Sequence, residues 1–128
     1  MNKKQDSEMS DECREQIRAL SDTMELLSGK WKLIILGTLL RNGTMRFMEL
    51  KRVLAGIAPK KLSKDLQELE LNQLVRREVM NTKPITVEYS LTDHGRTLDA
   101  LLGEAIDWGL KHRIEIIKPK DTPLITNV

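Results

Sequence analysis

The sequence predicts a mainly α-helical domain with one small β-hairpin, which is an α+β fold. Apolar residues recur at helical spacing along most of the chain, and a period of two appears only between Val75 and Leu91. A length of 128 residues suits one domain. Hydrophobic residues make up 40% and charged residues 31%, the balance of a soluble globular protein, and no apolar run is long enough to cross a bilayer.

The first half of the chain predicts two helices. Ser10 is a suitable cap for a helix from Asp11 to about Leu20, and a short turn opened by Asp22 follows it. From Lys30 to Leu40 the residues are apolar almost all round, which indicates a helix buried at the centre of the domain. Asn42-Gly43 ends this helix.

A helix-turn-helix is predicted next. After a short extended stretch at 44–46, Phe47, Leu50, Val53 and Leu54 recur at helical spacing, and Gly56 stops that helix. Pro59 suits the first turn of a second helix that runs to about Asn72, with Leu62, Leu66, Leu69 and Leu71 as inward-facing positions. Two helices joined by about four residues form a helix-turn-helix.

A hairpin and a long helix complete the expected order. Val75–Val79 and Val87–Leu91 alternate in polarity, and the turn-forming residues 81–84 separate them. Thr92 is expected to cap a last helix that spans about 93–117. A helix-turn-helix followed directly by a two-stranded hairpin is the winged-helix arrangement.

The terminal helices predict a homodimer. A helix of about 24 residues is about 36 Å long, more than a domain of this size covers, so its apolar side and that of residues 11–27 need a partner. The dimerisation residues expected on it are Leu98, Leu101, Leu102, Ala105 and Trp108. Residues 1–9 and 118–128 are expected to be disordered tails flanking a domain at 10–117.

Basic residues are concentrated in one block of the chain. The formal net charge is only +2, but residues 30–64 hold nine bases and one acid, which gives +8 there and −6 elsewhere. A block of one sign predicts an anion-binding face, whereas the alternative is a solvated lysine-rich surface.

The second helix of the motif carries the candidate DNA contacts. Its buried leucines leave five polar side chains on the other side, namely Lys60, Lys61, Ser63, Lys64 and Gln67. Lysine can donate to guanine and glutamine can pair with adenine in the major groove, but the lysines can equally contact phosphates. The further candidates are Lys83 at the hairpin tip, Lys30 and Lys32 at the start of the buried helix, and Arg46. Of Arg76 and Arg77, at most one can point toward DNA, and Trp31 is expected in the core.

Other classes of protein find little support in the composition. One cysteine (Cys13) and two distant histidines form no zinc site of ordinary spacing, and no glycine-rich phosphate loop is present. No catalytic residues, metal ligands or cofactor are therefore expected. Cys13 is either an unreactive thiol or a redox switch that pairs with its copy in a dimer.

Five ordered motifs resemble those of HxlR-type winged-helix regulators, which are relatives of the MarR group. The matching segments are Ser28-Gly29-Lys30-Trp31 with the following Leu36, Arg46–Leu50, Lys61–Glu70, Val87–Gly95 and Trp108-Gly109. The resemblance covers about residues 12–115 and implies a bacterial or archaeal dimeric transcription factor that binds double-stranded DNA at a short inverted repeat. A cytoplasmic protein is expected because the polar N-terminus has no apolar segment of a secretory signal and no apolar run could cross a bilayer. A pocket between the DNA-binding domain and the dimerisation helices could accept a small-molecule effector, which the sequence does not identify.

One feature departs from the family pattern. Many members carry an N-terminal cysteine, often followed by proline, about ten residues before the segment that matches Gly29-Lys30-Trp31. Here Arg14 follows Cys13, which lies 16 positions before Gly29. The alternative to a DNA-binding regulator is a winged-helix module for protein interaction, or for redox sensing through Cys13, with weak or no DNA binding.

Overall fold

The computed structural model describes residues 9–118. The elements in chain order are α1 (Asp11–Leu26), α2 (Lys32–Asn42), β1 (Met45–Arg46), α3 (Phe47–Val53), α4 (Pro59–Leu71), β2 (Val75–Met80), β3 (Thr86–Leu91), α5 (Asp93–Arg96) and α6 (Asp99–Ile117). The predicted mainly helical fold with a small β wing is confirmed. The predicted tails at 1–9 and 118–128 lie almost entirely outside the described residues.

The core is formed by the centre of the chain. Helix α2 buries Ile35, Leu36 and Leu39, and Trp31 packs against the core just before this helix. Helix α4 buries Leu62, Leu66 and Leu69, as its spacing predicts, whereas Leu71 is exposed. The predicted centre of the domain is therefore confirmed, with α2 shifted two residues along the chain.

The turn between α3 and α4 depends on backbone that only glycine adopts easily. Gly56 has φ +99°, and the neighbouring Leu54 and Ile57 are buried. Pro59 is the first residue of α4, where its missing N–H leaves no helical hydrogen bond unmade. Val53, predicted to face inward, is exposed near the end of α3.

The sheet has three antiparallel strands in the order β1-β3-β2. The predicted hairpin forms with Arg77 opposite Tyr89 and Arg76 opposite Ser90. The short stretch at Met45–Arg46 pairs with the other edge of β3, so the wing is joined to the helix-turn-helix by a third strand. Side chains alternate between the two faces of a strand, which puts Arg76 and Arg77 on opposite faces of the sheet.

Helix α1 is continuous, and the predicted interruption near Leu20 is wrong. Ser10 caps it as expected, because its hydroxyl accepts a hydrogen bond from the N–H of Cys13 at 3.0 Å. The Thr23 hydroxyl donates to the carbonyl of Ala19 at 2.9 Å, a bond that lets threonine stay inside a helix.

The last helix is divided, and the predicted single helix from Asp93 is wrong. Thr92 caps α5 by accepting from the N–H of Gly95, but the N–H groups of Thr97 and Leu98 then bond three residues back. These tight bonds end α5 and reorient the chain into α6, which has 19 residues and is about 28 Å long. Gly95 is required here, because a Cβ atom would lie 2.1 Å from the Leu74 carbonyl oxygen.

Candidate DNA-binding interface

Helix α4 presents a polar surface opposite its buried leucines. All five residues that the sequence singles out on this helix are exposed, namely Lys60, Lys61, Ser63, Lys64 and Gln67. The lysines lie in its N-terminal half, and the acidic residues lie in its C-terminal half. The leucine stripe anchors the helix in the core, so the opposite side is open to a partner.

The sheet adds Arg77 to this surface. Together with Tyr89, Arg77 lines a cavity of about 330 Å³ whose other wall is formed by Ser63, Gln67 and Glu70 of α4. Arg76 lies on the opposite sheet face, 3.8 Å from Glu78. The sequence predicts that at most one of the two arginines points toward DNA, and in the structure it is Arg77 that lies on the side of α4. The strand register could have indicated this, since Arg77 has the same parity as the inward-facing Val75.

Lys83 lies at the exposed tip of the hairpin, as the sequence predicts. The Thr82 hydroxyl donates to the Pro84 carbonyl at 2.8 Å and lies 3.3 Å from the Thr86 hydroxyl. These contacts order the tip, so the Lys83 ammonium extends from a defined loop.

Lys32 is placed differently from the expectation of a phosphate contact. Lys32 is only 7% exposed, and its ammonium forms an ion pair with the Glu68 carboxylate of α4. This placement corrects the expectation for Lys32, because a buried and paired ammonium is not available to a phosphate. The hydrogen-bonded contact with Lys32 lowers the pKa of Glu68 below its usual value, against partial desolvation, with help from the charges of Lys64 and Lys61.

Asp65 is the second acidic residue on α4 with a basic partner. It is 1% exposed, and the Lys61 ammonium lies 3.1 Å from its Oδ1 atom one helical turn away. The contact does not have hydrogen-bond geometry, so Oδ1 is held by charge alone. Lys61 itself stays partly exposed and can still face a ligand.

Lys30 and Arg46 are exposed and belong to segments other than α4. Lys30 precedes α2 and lies 4.7 Å above the ring of Trp31. Arg46 is opposite Glu88 in the sheet, on the face that also carries Arg76. The structure therefore separates Arg46 from the cavity that Arg77 lines.

The terminal helices expose apolar side chains. Helix α1 buries none of its residues and exposes Ile17, Leu20 and Met24 at helical spacing. Helix α6 buries only Leu102. Its large exposed side chains are Leu101, Ile106, Trp108, Leu110, Ile114, Ile116 and Ile117.

Two of the expected dimerisation residues are used by the chain's own core. Leu102 is 4% exposed, and Leu98 packs against the core cluster. This corrects the expectation for Leu102, since a side chain buried in its own domain offers little to a partner, whereas the half-buried Leu98 stays a prediction. Leu101, Ala105 and Trp108 remain exposed, and Trp108 stacks on His112 with ring centroids 4.7 Å apart.

Cys13 is half-exposed on α1, in the first turn that Ser10 caps.

Within residues 9–118 no group of three or more histidine, cysteine or acidic side chains is arranged to hold a metal ion. Among the helices of the same residues, none has the length and apolar character that a membrane span requires.

Between α2 and α6 lies an open apolar cavity of about 520 Å³. Ile34, Val53 and Ile106 contribute exposed apolar surface to it, and Thr38 and Arg41 are among its few polar lining residues. Its size suits a small molecule, but it adjoins the exposed face of α6, where a second protein chain would also lie.

Comparison with known proteins identifies the family. The sequence pattern described as HxlR-like helix-turn-helix matches residues 26–116. This chain belongs to that family. YdzF of Bacillus subtilis, an uncharacterised HTH-type transcriptional regulator, is 41% identical over 102 residues, which cover 80% of this chain and 94% of the relative. BH0655 of Halalkalibacterium halodurans, described in the same way, is 44% identical over 91 residues, with 71% and 80% covered.

Solved structures of related proteins have the same fold as this chain. The redox regulator HypR in its reduced form superposes with a TM-score of 0.70 and 37% identity, covering 74% of this chain and 93% of HypR. A structure of the HTH-type regulator YtcD gives a TM-score of 0.68 and 40% identity, covering 73% and 94%. This chain is accordingly a transcriptional regulator of the helix-turn-helix type.

Proposed function

We propose that this regulator binds double-stranded DNA as a homodimer, with no catalytic step, and recognises an inverted repeat with its two α4 helices. The observation that carries the proposal is the exposed row of Lys60, Lys61, Ser63, Lys64 and Gln67 on a helix that is anchored in the core by Leu62, Leu66 and Leu69. A recognition helix places its N-terminal residues nearest the base edges in the major groove. On α4 these are the lysines and Ser63.

The individual side chains have distinct roles in this proposal. Ser63 and Gln67 face base edges, where a glutamine can pair with adenine and a serine can serve several bases. The three lysines and Arg77 contact phosphates or guanine, and Lys83 reaches the backbone or minor groove beside the recognition helix. Lys30 and Arg46 are assigned to flanking phosphates, since they are exposed but lie outside the surface of α4.

The homodimer is supported by the apolar surface of α1 and α6. Large exposed apolar patches on a soluble chain mark an interaction surface, and twofold pairing of like chains is the commonest arrangement. Leu101, Ala105 and Trp108 are the proposed contacts of α6. A twofold pair would present two copies of α4 about one helical turn of DNA apart.

Binding measured at several salt concentrations tests this proposal. Fluorescence anisotropy with a labelled random-sequence duplex of roughly 30 base pairs detects binding even before the operator is known. Because phosphate contacts release counterions, the logarithm of the affinity is expected to fall linearly and steeply with the logarithm of the salt concentration. An affinity that does not change with salt, or no binding at low salt, contradicts the proposal.

Redox sensing through Cys13 is the second candidate function. HypR, whose reduced and oxidised forms both resemble this chain, is a redox regulator, and Cys13 is half-exposed on the proposed dimer helix. Because each chain has one thiol, a disulfide would join the two copies of Cys13. Non-reducing electrophoresis after oxidation by diamide is expected to show a covalent dimer, which Cys13→Ser removes. A chain that stays monomeric on that gel excludes this mechanism.

The proposal also implies a cytoplasmic protein, because the partner DNA lies there. Its alternative is a winged-helix module that binds another protein and no DNA. The salt-dependent measurement separates the two, since an interaction module has no need of basic residues on the open face of α4.

A further inference from the structure

Helix α4 carries as many acidic as basic side chains. Its bases are Lys60, Lys61 and Lys64, and its acids are Asp65, Glu68 and Glu70, so its formal net charge is zero. A helix of zero net charge has no overall attraction for a polyanion. The acidic side chains therefore have to be neutralised or turned away for α4 to face phosphates.

Each acidic residue of α4 has a base nearby. Asp65 is buried beside Lys61, and Glu70 lines the same cavity as Arg77. Glu68 is different, because its partner Lys32 comes from α2 and is itself buried. This contact adds a positive charge to α4 from outside the helix.

Stability alone is a poor reason for such a pair. The loss of hydration of a buried ammonium commonly offsets its attraction to a carboxylate, so a buried ion pair is weak evidence of a stabilising role. A functional role is more consistent with the location of Glu68, one turn beyond Lys64 on the surface proposed to meet DNA. Without Lys32, a partly exposed carboxylate would remain beside Lys61 and Lys64.

We propose that Lys32 is a positioning residue for DNA binding, whose buried ammonium holds and neutralises Glu68 so that the exposed surface of α4 is positive. The inference rests on the proposed function. Lys32 acts through Glu68 and touches no nucleotide, in contrast to Lys60 and Lys64.

A double-mutant cycle tests this role. Lys32→Met keeps an unbranched apolar stem of similar length and removes the ammonium, so Glu68 is left unpaired. The affinity of the full-length protein for a duplex of roughly 30 base pairs, selected by the wild type from a random pool, is expected to fall about tenfold. Adding Glu68→Gln to that variant is expected to restore the affinity to within about threefold of the wild type, since the unpaired charge is gone.

The outcomes separate three explanations. If Lys32 instead contacts a phosphate or only fills space, Glu68→Gln cannot repair its loss, and a double variant as weak as Lys32→Met overturns the proposal. If Lys32→Met does not fold, as judged by circular dichroism, the DNA affinity of the single variant Glu68→Gln tests the proposal instead. It is expected to bind at least as tightly as the wild type, and a tenfold loss in this single variant contradicts charge neutralisation.

The same data distinguish this inference from the proposed function. A wild-type protein that binds no duplex, random or selected, refutes the proposed function. A wild-type protein that binds DNA while Glu68→Gln fails to rescue Lys32→Met refutes only the role of Lys32.

Discussion

Helices α4 and α6 differ in where their apolar side chains go. Helix α4 buries Leu62, Leu66 and Leu69 in its own domain and exposes a polar row on its opposite side, with Leu71 at its end as the exposed leucine. Helix α6 buries only Leu102 and leaves large apolar residues such as Trp108 exposed. The comparison indicates two different partners, a charged one for α4 and a second apolar protein surface for α6.

Charge reversal on α4 is expected to have the largest effect. The double variant Lys60→Glu, Lys64→Glu should weaken DNA binding by at least about 100-fold, because both lysines are proposed to face the polyanion. Both side chains are exposed, so the melting temperature should change little. The control Lys111→Glu, which reverses one exposed charge away from α4, should lose far less affinity. Normal binding by the α4 variant would remove α4 from the interface.

Charges placed on α6 are expected to disrupt the dimer and, with it, tight DNA binding. Leu101→Glu with Trp108→Glu places two carboxylates at exposed apolar positions of α6 that the dimer is proposed to bury. Sedimentation or light scattering should show a folded monomer, and the affinity for an inverted repeat should fall at least about tenfold with the loss of two-site binding. Leu71→Glu, an exposed apolar position on α4, is the control for oligomeric state. A variant pair that is still dimeric would exclude this part of α6 from the interface.

The two arginines of β2 provide a test within one strand. Arg77→Ala is expected to weaken DNA binding about tenfold, because Arg77 lines the cavity beside Ser63 and Gln67. Arg76→Ala removes the same charge from the opposite sheet face and should cost less than about twofold. Equal losses would mean that only the total charge matters, and not the location of these side chains.

The smallest expected effect is a pH dependence of stability from Glu68. Its pKa is lower in the folded protein than in the unfolded chain, so the ionised carboxylate stabilises the fold above its ordinary pKa near 4.5. That contribution is lost as the pH falls through the lower, folded-state value. Denaturant unfolding of the wild type and Glu68→Gln should therefore differ at neutral pH and converge in acid. A difference that grows in acid would contradict the assigned sign.

Features with a local cause could be predicted from the sequence. The helix-turn-helix follows from leucine spacing, Gly56 and Pro59, and the hairpin follows from alternation around a turn. Pairing of β1 with β3 joins residues that are distant in sequence, so no local pattern indicates it. The break after α5 depends on hydrogen bonds three residues back at Thr97 and Leu98, whereas the apolar spacing runs on without interruption.

Those residues of the candidate site whose exposure follows from helix geometry could be predicted from the sequence. The polar positions of α4 are the complement of its leucines, so their exposure could be inferred. The burial of Lys32 could not, because lysine is ordinarily exposed and its partner Glu68 lies on another helix. The burial of Leu102 could not be predicted either, because the sequence does not distinguish an apolar contact within the chain from one between two chains.

Selection of bound sequences from a pool of random duplexes reports binding, base recognition and symmetry in one experiment. We expect enrichment of one inverted repeat whose half-sites are centred about 10 base pairs apart, one turn of the double helix. A pool that stays random, or a single unrepeated motif with no symmetric partner, would contradict a homodimer that reads DNA through α4.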